Sequence, residues 1–325
     1  VPIIKNLAAV GVARQTAGKG TPAAQPDFYH GLRSGTAFEV AITQSEEERT
    51  LATGRAAPEV NRERVVHGMK FTARVHPRAI GLYLYAALGS IATVTGTPNV
   101  HTITPGPDVP YLTFWGLFAG EIKRVQDCKI DQLAIKWDGP GKIEVEVTAV
   151  GCIPGFPSSI TPAQDEQRAV SYQAGGGTFT MDANSATPAA ANITAGQLAI
   201  ANNVEPLILA TSVVPQDVII GHQSISPDLT IVPNDLAEWR KILTGTASGT
   251  SISEQPIYGS YEQLFVIDAN TTLKLTCLRS AFACPFPSVD PKGGAAEIPL
   301  SATAVEQTGG GVACTAVVKN AHAAY

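Results

Sequence analysis

A chain that repeats itself must fold into something that accommodates two copies of one unit. This chain repeats at a spacing of about 155 residues. His76-Pro77-Arg78-Ala79-Ile80-Gly81-Leu82-Tyr83-Leu84-Tyr85-Ala86-Ala87-Leu88-Gly89 aligns with Val232 through Gly245 at an offset of 156: Pro77 with Pro233, Ile80 with Leu236, Tyr83 with Trp239 and Gly89 with Gly245. Further on, Ile143 to Val150 aligns with Ile298 to Val305 at an offset of 155. Two matches at nearly one offset point to a duplicated domain, and a duplicated domain can place two quasi-equivalent units in a symmetric ring.

The repeat is written in β-type residues. Of 325 residues only 16% are charged, with 30 glycines and 23 prolines spread along the chain. A turn-rich composition of Ala, Val, Ile and Thr favours strands over helix bundles. The expected fold is mainly β: two tandem repeats, each an antiparallel sandwich or partial barrel with one flanking α-helix. Expected boundaries are an arm at 1–35, repeat 1 at 36–151, a Pro/Ser/Gly-rich linker at 152–177, repeat 2 at 178–306 and a tail at 307–325. Low charge reads either as surface buried against neighbours or as a plain polar surface.

Local patterns fill in this outline. Met69, Phe71, Ala73 and Val75 alternate with Lys70, Thr72 and Arg74, as a half-buried strand requires. Pro77 suits a helix start and Gly89 its end. The apolar stripe Ile80, Tyr83, Leu84, Ala87 and Leu88 predicts a helix packed on a sheet. In the second repeat Leu236, Trp239, Ile242 and Leu243 form the equivalent stripe, with Asn234 or Asp235 supplying oxygens near its start. Ile143, Val145 and Val147 face a core while Lys142, Glu144 and Glu146 face out.

Chemistry is sparse. Gly18-Lys19-Gly20-Thr21 fails as a phosphate loop, because Ala13 stands where glycine is needed and Gly20 where Ser or Thr is needed. His67 and His76 lack metal spacing and read as surface histidines, and the other four are scattered. The cysteines, Cys128, Cys152, Cys277, Cys284 and Cys314, include no Cys-x-x-Cys pair and suggest small apolar residues in a reducing compartment. Val1 to Lys5 lacks the order of an export signal, and no long apolar run predicts a membrane span. Paired acids such as Asp127 and Asp131 need a pocket that nothing in the sequence indicates. No catalytic, cofactor or metal residues are assigned. The net charge of −5 comes without a basic stripe, so nucleic acid would pass this protein without being held.

Diffuse motifs then converge. Ala13-Arg14-Gln15-Thr16-Ala17-Gly18-Lys19-Gly20-Thr21-Pro22, Tyr111-Leu112-Thr113-Phe114-Trp115-Gly116, Cys128-Lys129-Ile130-Asp131-Gln132-Leu133 and Gly141–Gly151, in the order strand, charged loop, strand, Pro-started helix, aromatic strand and hairpin, resemble the major tail tube proteins of long-tailed, sheathless bacteriophages. The resemblance spans most of residues 10–306 and is strongest over 60–151. It implies a structural virion protein, not an enzyme, that assembles in the host cytoplasm. Edge-to-edge strand joining would build homo-oligomeric rings, trimers of two-unit chains with pseudo-six-fold symmetry in preference to hexamers. Stacked rings would form the channel for genome ejection, with the tape-measure, tail terminator and tail-tip proteins as partners, and without membrane insertion. Long loops at 44–62, including Glu46, Glu47, Glu48 and Arg49, and at 184–216 would bridge rings. Candidate lumen-facing acids are Asp127, Asp131, Glu144 and Glu146. Pro299, standing where repeat 1 has Glu144, removes a ladder donor and loosens the equivalence of the repeats. The alternative reading is a two-domain β-sandwich adhesin or receptor-binding virion protein.

Overall fold

A computed structural model describes residues 8–34, 38–46, 60–118, 120–139, 141, 143–166, 172–185, 188, 191–233, 236–285 and 297–325. The chain is mainly β, and its strands pair almost entirely antiparallel. In chain order the elements are β1 (Ala8–Arg14), β2 (Phe28–Gly31), β3 (Glu39–Glu46), β4 (Val60–Arg74), α1 (Ala79–Leu88), β5 (Gly89–Val94), β6 (Asn99–Pro105), β7 (Leu112–Phe118), β8 (Glu121–Asp138) and β9 (Glu144–Gly151). They continue with β10 (Ile153–Gly155), β11 (Gln164–Asp165), β12 (Gln173–Thr180), β13 (Ile193–Ala201), β14 (Glu205–Leu207), β15 (Asp217–Ile219) and β16 (Ser224–Ile231). The last are α2 (Ala237–Thr244), β17 (Tyr258–Asp268), β18 (Thr271–Ala283), β19 (Ile298–Ala304) and β20 (Thr315–Asn320).

The pairing order is the informative part. In the first half β1 pairs with β7, β7 with β8, β8 with β9, β9 with β4 and β4 with β3. In the second half β12 pairs with β17, β17 with β18, β18 with β19, β19 with β16 and β16 with β13. Each half places its helix after the corresponding strand, α1 after β4 and α2 after β16. The halves meet twice. β8 takes β13 as a neighbour, from Asp138 opposite Ala195 to Gln132 opposite Ala201. β20 lies between β18 and β6, contacting one half on each side. Segments read from sequence as arm, linker and tail therefore supply strands β1, β2, β10, β11 and β20.

One core runs through both halves. Period-2 burial lines the inner faces: Val145, Val147 and Ala149 on β9, Ile225, Leu229 and Ile231 on β16, Ile298, Leu300, Ala302 and Ala304 on β19. At about 2 kcal/mol for a fully buried aliphatic side chain, this alternation is what fixes the strand register, because a one-residue slip would turn the whole set outward. α1 is enclosed all round, with Tyr85 alone only half-buried, so the apolar stripe marks part of a fully buried helix. α2 keeps the one-sided form, burying Trp239 and Ile242. Asn234 and Asp235 lie outside the described residues. Gly89 and Gly245 end the two helices at φ +107° and +80°, a left-handed turn that glycine adopts without steric cost.

Remote side chains close both ends of α1. The Glu166 carboxylate accepts from the Arg78 and Ala79 amides at 3.1 and 3.0 Å. At the other end Asn202 and Gln223 each donate to the Ala87 carbonyl at 3.0 Å. His30, His67, His76 and His101, expected at the surface or scattered, are all buried. His30 hydrogen-bonds the Tyr83 hydroxyl at 2.6 Å, and His101 bonds the His322 carbonyl at 3.0 Å. These local partners come from distant segments, which explains why residue spacing left them looking isolated.

Candidate assembly surfaces

The sheet built from β3, β4, β9, β8, β13, β16 and β19 packs one face on the core and leaves the other open. Register fixes which side chains stand together there. One cross-strand row runs Arg74, Glu144, Lys136, Gln197, Asp228. The next runs Thr72, Glu146, Ala134, Ala199, Ser226, and a third Lys70, Thr148, Gln132, Ala201, Ser224. The face is made of small or charged side chains, and its two glutamates are compensated. Glu146 pairs with Lys136 at 2.5 Å, Glu144 pairs with Arg33, and Asp228 accepts from Gln197 at 2.9 Å. Pairs this exposed add little stability, yet they cancel the local field.

The four candidate acids separate. Glu144 and Glu146 stand on the open face. Asp127 is 1% exposed and sits at φ +54° within β8. Its carboxylate accepts from Gln15 Nε2 at 3.0 Å and from the Gly20 amide at 2.8 Å, while its own amide donates to Gln15 Oε1. Asp127 thus fastens the 15–20 loop to β8 from inside the chain, away from the open face. Asp131 accepts from the Val204 amide at 2.8 Å, and its carbonyl accepts from Asn202. It tethers the excursion from 202 to 223 that carries β14 and β15.

At one edge of the sheet, β3 and the start of β4 form a two-stranded ribbon. Residues 39–44 of β3 and 60–64 of β4 are exposed on both faces. Val40 and Ile42 are 43% and 45% exposed, and Val60 is 55% exposed. Apolar side chains on an unpaired strand edge are a template for another strand. The ribbon's inner end meets the 202–223 excursion, where the Val65 amide donates to the Val213 carbonyl at 2.8 Å. Leu207, Leu209, Val213 and Ile219 of that excursion are exposed too. Glu46 ends β3 opposite Val60. Glu47, Glu48 and Arg49 lie outside the described residues.

At the opposite end of the sheet, β19 continues into the final residues of β18, where Phe282 and Ala283 pair with Ala302 and Ser301. In pairing order β18 is to the second half what β8 is to the first, and β13 is to the second half what β3 is to the first. The β8–β13 contact in the middle of the sheet therefore joins the same kinds of edge that, among the described residues, lack a second partner at β3 and at Phe282–Ala283 of β18.

What sequence reading missed is the cap and lock residues Gln15, Glu166, Asn202 and Gln223. Each is a polar residue in a segment without periodicity, and its partner lies far away in the chain. No helix among the described residues is long and apolar enough to cross a membrane.

Comparison with known proteins follows the same outline. No curated protein matches the chain. A family model described as phage tail tube protein matches residues 5–304, which takes in both halves, the segment joining them and the β8–β13 contact. The chain belongs to the phage tail tube protein family, whose members are structural components of the virion tail.

Proposed function

We propose that three copies of this chain close into a ring of pseudo-six-fold symmetry, and that rings stack into a tail tube whose lumen is the channel for genome delivery. The observation that carries the reading is the shared pairing order of the two halves, with β8 and β13 joined inside the chain. Units at 36–151 and 178–306 are then equivalent, with the 152–177 segment joining them and the arm and tail lending strands β1 and β20. The joint between chains repeats the internal one: the β3 edge of one copy meets the Phe282–Ala283 end of β18 in the next. Closing the ring in this way leaves neither end of the seven-stranded sheet open.

The open face of the seven-stranded sheet then becomes the channel wall, with Glu144 and Glu146 among its acids. Because those acids are compensated, DNA meets a wall of small and balanced side chains. Passage without sticking follows from cancellation of charge more than from an excess of negative charge. The β3–β4 ribbon with the 44–62 loop, and the 202–223 excursion, reach the adjacent ring; residues 193–201 of the expected 184–216 loop are instead strand β13 of the sheet. Assembly takes place in the host cytoplasm, around a tape-measure protein and between terminator and tip proteins.

Negative-stain electron microscopy across a concentration series tests this. Wild-type protein is expected to form rings or hollow tubes with three-fold averages. The Val40→Lys, Ile42→Lys variant is expected to stay folded by circular dichroism and to form neither. Compact discrete particles of wild type at every concentration, or tubes undiminished in the variant, would overturn the proposal; the former would favour the adhesin reading.

A further inference from the structure

Cysteines are the one reactive residue type that the assembly reading leaves without a role. All five are free thiols; Cys128, Cys152, Cys277 and Cys314 are buried and Cys284 is half-buried. Two of them stand opposite each other. β18 and β20 pair antiparallel from Thr272 opposite Lys319 to Thr276 opposite Thr315. One step further along that register sets Cys277 against Cys314. Side-chain alternation agrees: Leu273, Leu275 and Cys277 share the buried face of β18, and Cys314, Ala316 and Val318 that of the facing segment. The Cys314 thiol is the neighbour that most raises the Cys277 pKa, in keeping with two side chains that face each other.

We propose that Cys277 and Cys314 are a disulfide site, closed when the folded protein meets a low-molecular-weight disulfide such as oxidised glutathione. Directly opposed residues in an antiparallel pair have Cα atoms about 4.5–5.5 Å apart, inside the roughly 4.4–6.8 Å range of disulfides. Their Cβ atoms, about 4.5–5.5 Å apart, need to approach by only about an ångström. Cys128 and Cys152 offer no such register. Gln126 is opposite Ile153 and Lys129 is opposite Val150, so these two cysteines sit diagonally.

The chemistry balances with glutathione disulfide as oxidant. The Cys314 thiolate attacks one sulfur of the reagent, forming a mixed disulfide and expelling one glutathione thiolate. The Cys277 thiolate then attacks the Cys314 sulfur and expels the second. Two protein thiols are oxidised, one glutathione disulfide is reduced, and the two thiol protons end on the two glutathiones. Cys314 goes first because it precedes the first residue of β20, so opening one residue of strand end uncovers it. The neighbouring Cys314 thiol, and then burial, favour the protonated form of Cys277 and make the reaction slow, not absent. The product ties together positions separated by 36 residues of chain and fastens β20, which also pairs with β6, to β18.

The test needs no assembly. Folded full-length protein is incubated with excess oxidised glutathione, quenched in acid, denatured, alkylated and digested with trypsin. The five cysteines fall in five separate tryptic peptides, so each can be followed. The expected result is one linked pair, 275–279 with 293–319, lighter by two hydrogens than the sum of the free peptides. The oxidised protein should melt higher than the reduced protein, and Cys314→Ser, which keeps the fold, should show neither the link nor the rise. Full alkylation of Cys277 and Cys314 under conditions that glutathionylate Cys284, or linkage of either to a different cysteine, would overturn the proposal.

Discussion

Gly81 lies inside α1 at a point where helix propensity and packing oppose each other. A Cβ at Gly81 would lie inside van der Waals contact of the Tyr325 ring and its hydroxyl. That ring cannot slide away freely. Its hydroxyl donates to the Arg78 carbonyl at 2.7 Å and accepts from Asn320 at 2.7 Å, and its backbone carbonyl accepts from Arg14 at 2.9 Å. His101 and His322 pack on it with ring centroids 4.7 and 4.6 Å away. Gly81→Ala gains about 1 kcal/mol of helix propensity. Displacing the ring forfeits two hydroxyl hydrogen bonds at about 1 kcal/mol each and, with partial loss of burial, about 3 kcal/mol in all. The net expectation is destabilisation by about 2 kcal/mol. In a Tyr325→Ala background the obstacle is gone, and the same Gly81→Ala change should stabilise by up to about 1 kcal/mol. Urea unfolding followed by tryptophan fluorescence on the four corners of this cycle reads both signs. If Gly81→Ala destabilises equally with and without the tyrosine ring, the packing argument is refuted.

Two further expectations concern buried ionisable groups around the same helix. Glu166→Ala removes the acceptor of two amides at the start of α1 and should cost about 2–4 kcal/mol, measured by urea unfolding, with Glu166→Gln losing less. Burial raises the Glu166 pKa despite the opposing pull of the Ala79 and Arg78 amides. The native state therefore holds this proton to higher pH than the unfolded chain, so the stability linked to it falls as pH rises above 4.5, and Glu166→Gln should remove that slope. His30 titrates in the opposite sense: burial first, then nearby His76, lower its pKa from 6.5 to about 4. The unfolded chain takes up the proton first, so stability present above pH 6.5 is lost on the way down to pH 4, by up to about 3 kcal/mol. Unfolding of His30→Gln between those pH values should show a correspondingly flatter profile.

The elements legible in the sequence are those whose signal is local. Period-2 alternation announced β9 through Ile143, Val145 and Val147, and the glycines closing α1 and α2 announced their own ends. Mainly β architecture followed from composition and spacing of turns. What stayed hidden depends on partners far along the chain. Glu166 sits in a segment that reads as linker, and its role exists only because that segment runs past the start of α1. Asp127 looks like an exposed strand-edge acid until the 15–20 loop folds over it. β20 carried only a faint alternation over 312–318, and nothing local reveals that it lies between β6 and β18. On the open sheet face, Glu144 and Glu146 could be read as outward-pointing, whereas their compensation by Arg33 and Lys136 required the register.

The shared strand β20 also has a consequence in time. Its partners Val100 and Thr102 on β6 are more than two hundred positions earlier in the chain than Lys319 and Val317. Contacts this distant in sequence form late, because the loop entropy of closing them must be met before they return any energy. Until β20 arrives, β18 and β6 both present unpaired strand edges. A nascent chain in that state would recruit the wrong partner if it met other copies at high concentration. The fold therefore sets a clock. In the assembly proposed above, late insertion of one short strand would separate the period in which the chain must be kept apart from its copies from the period in which its remaining edges meet them.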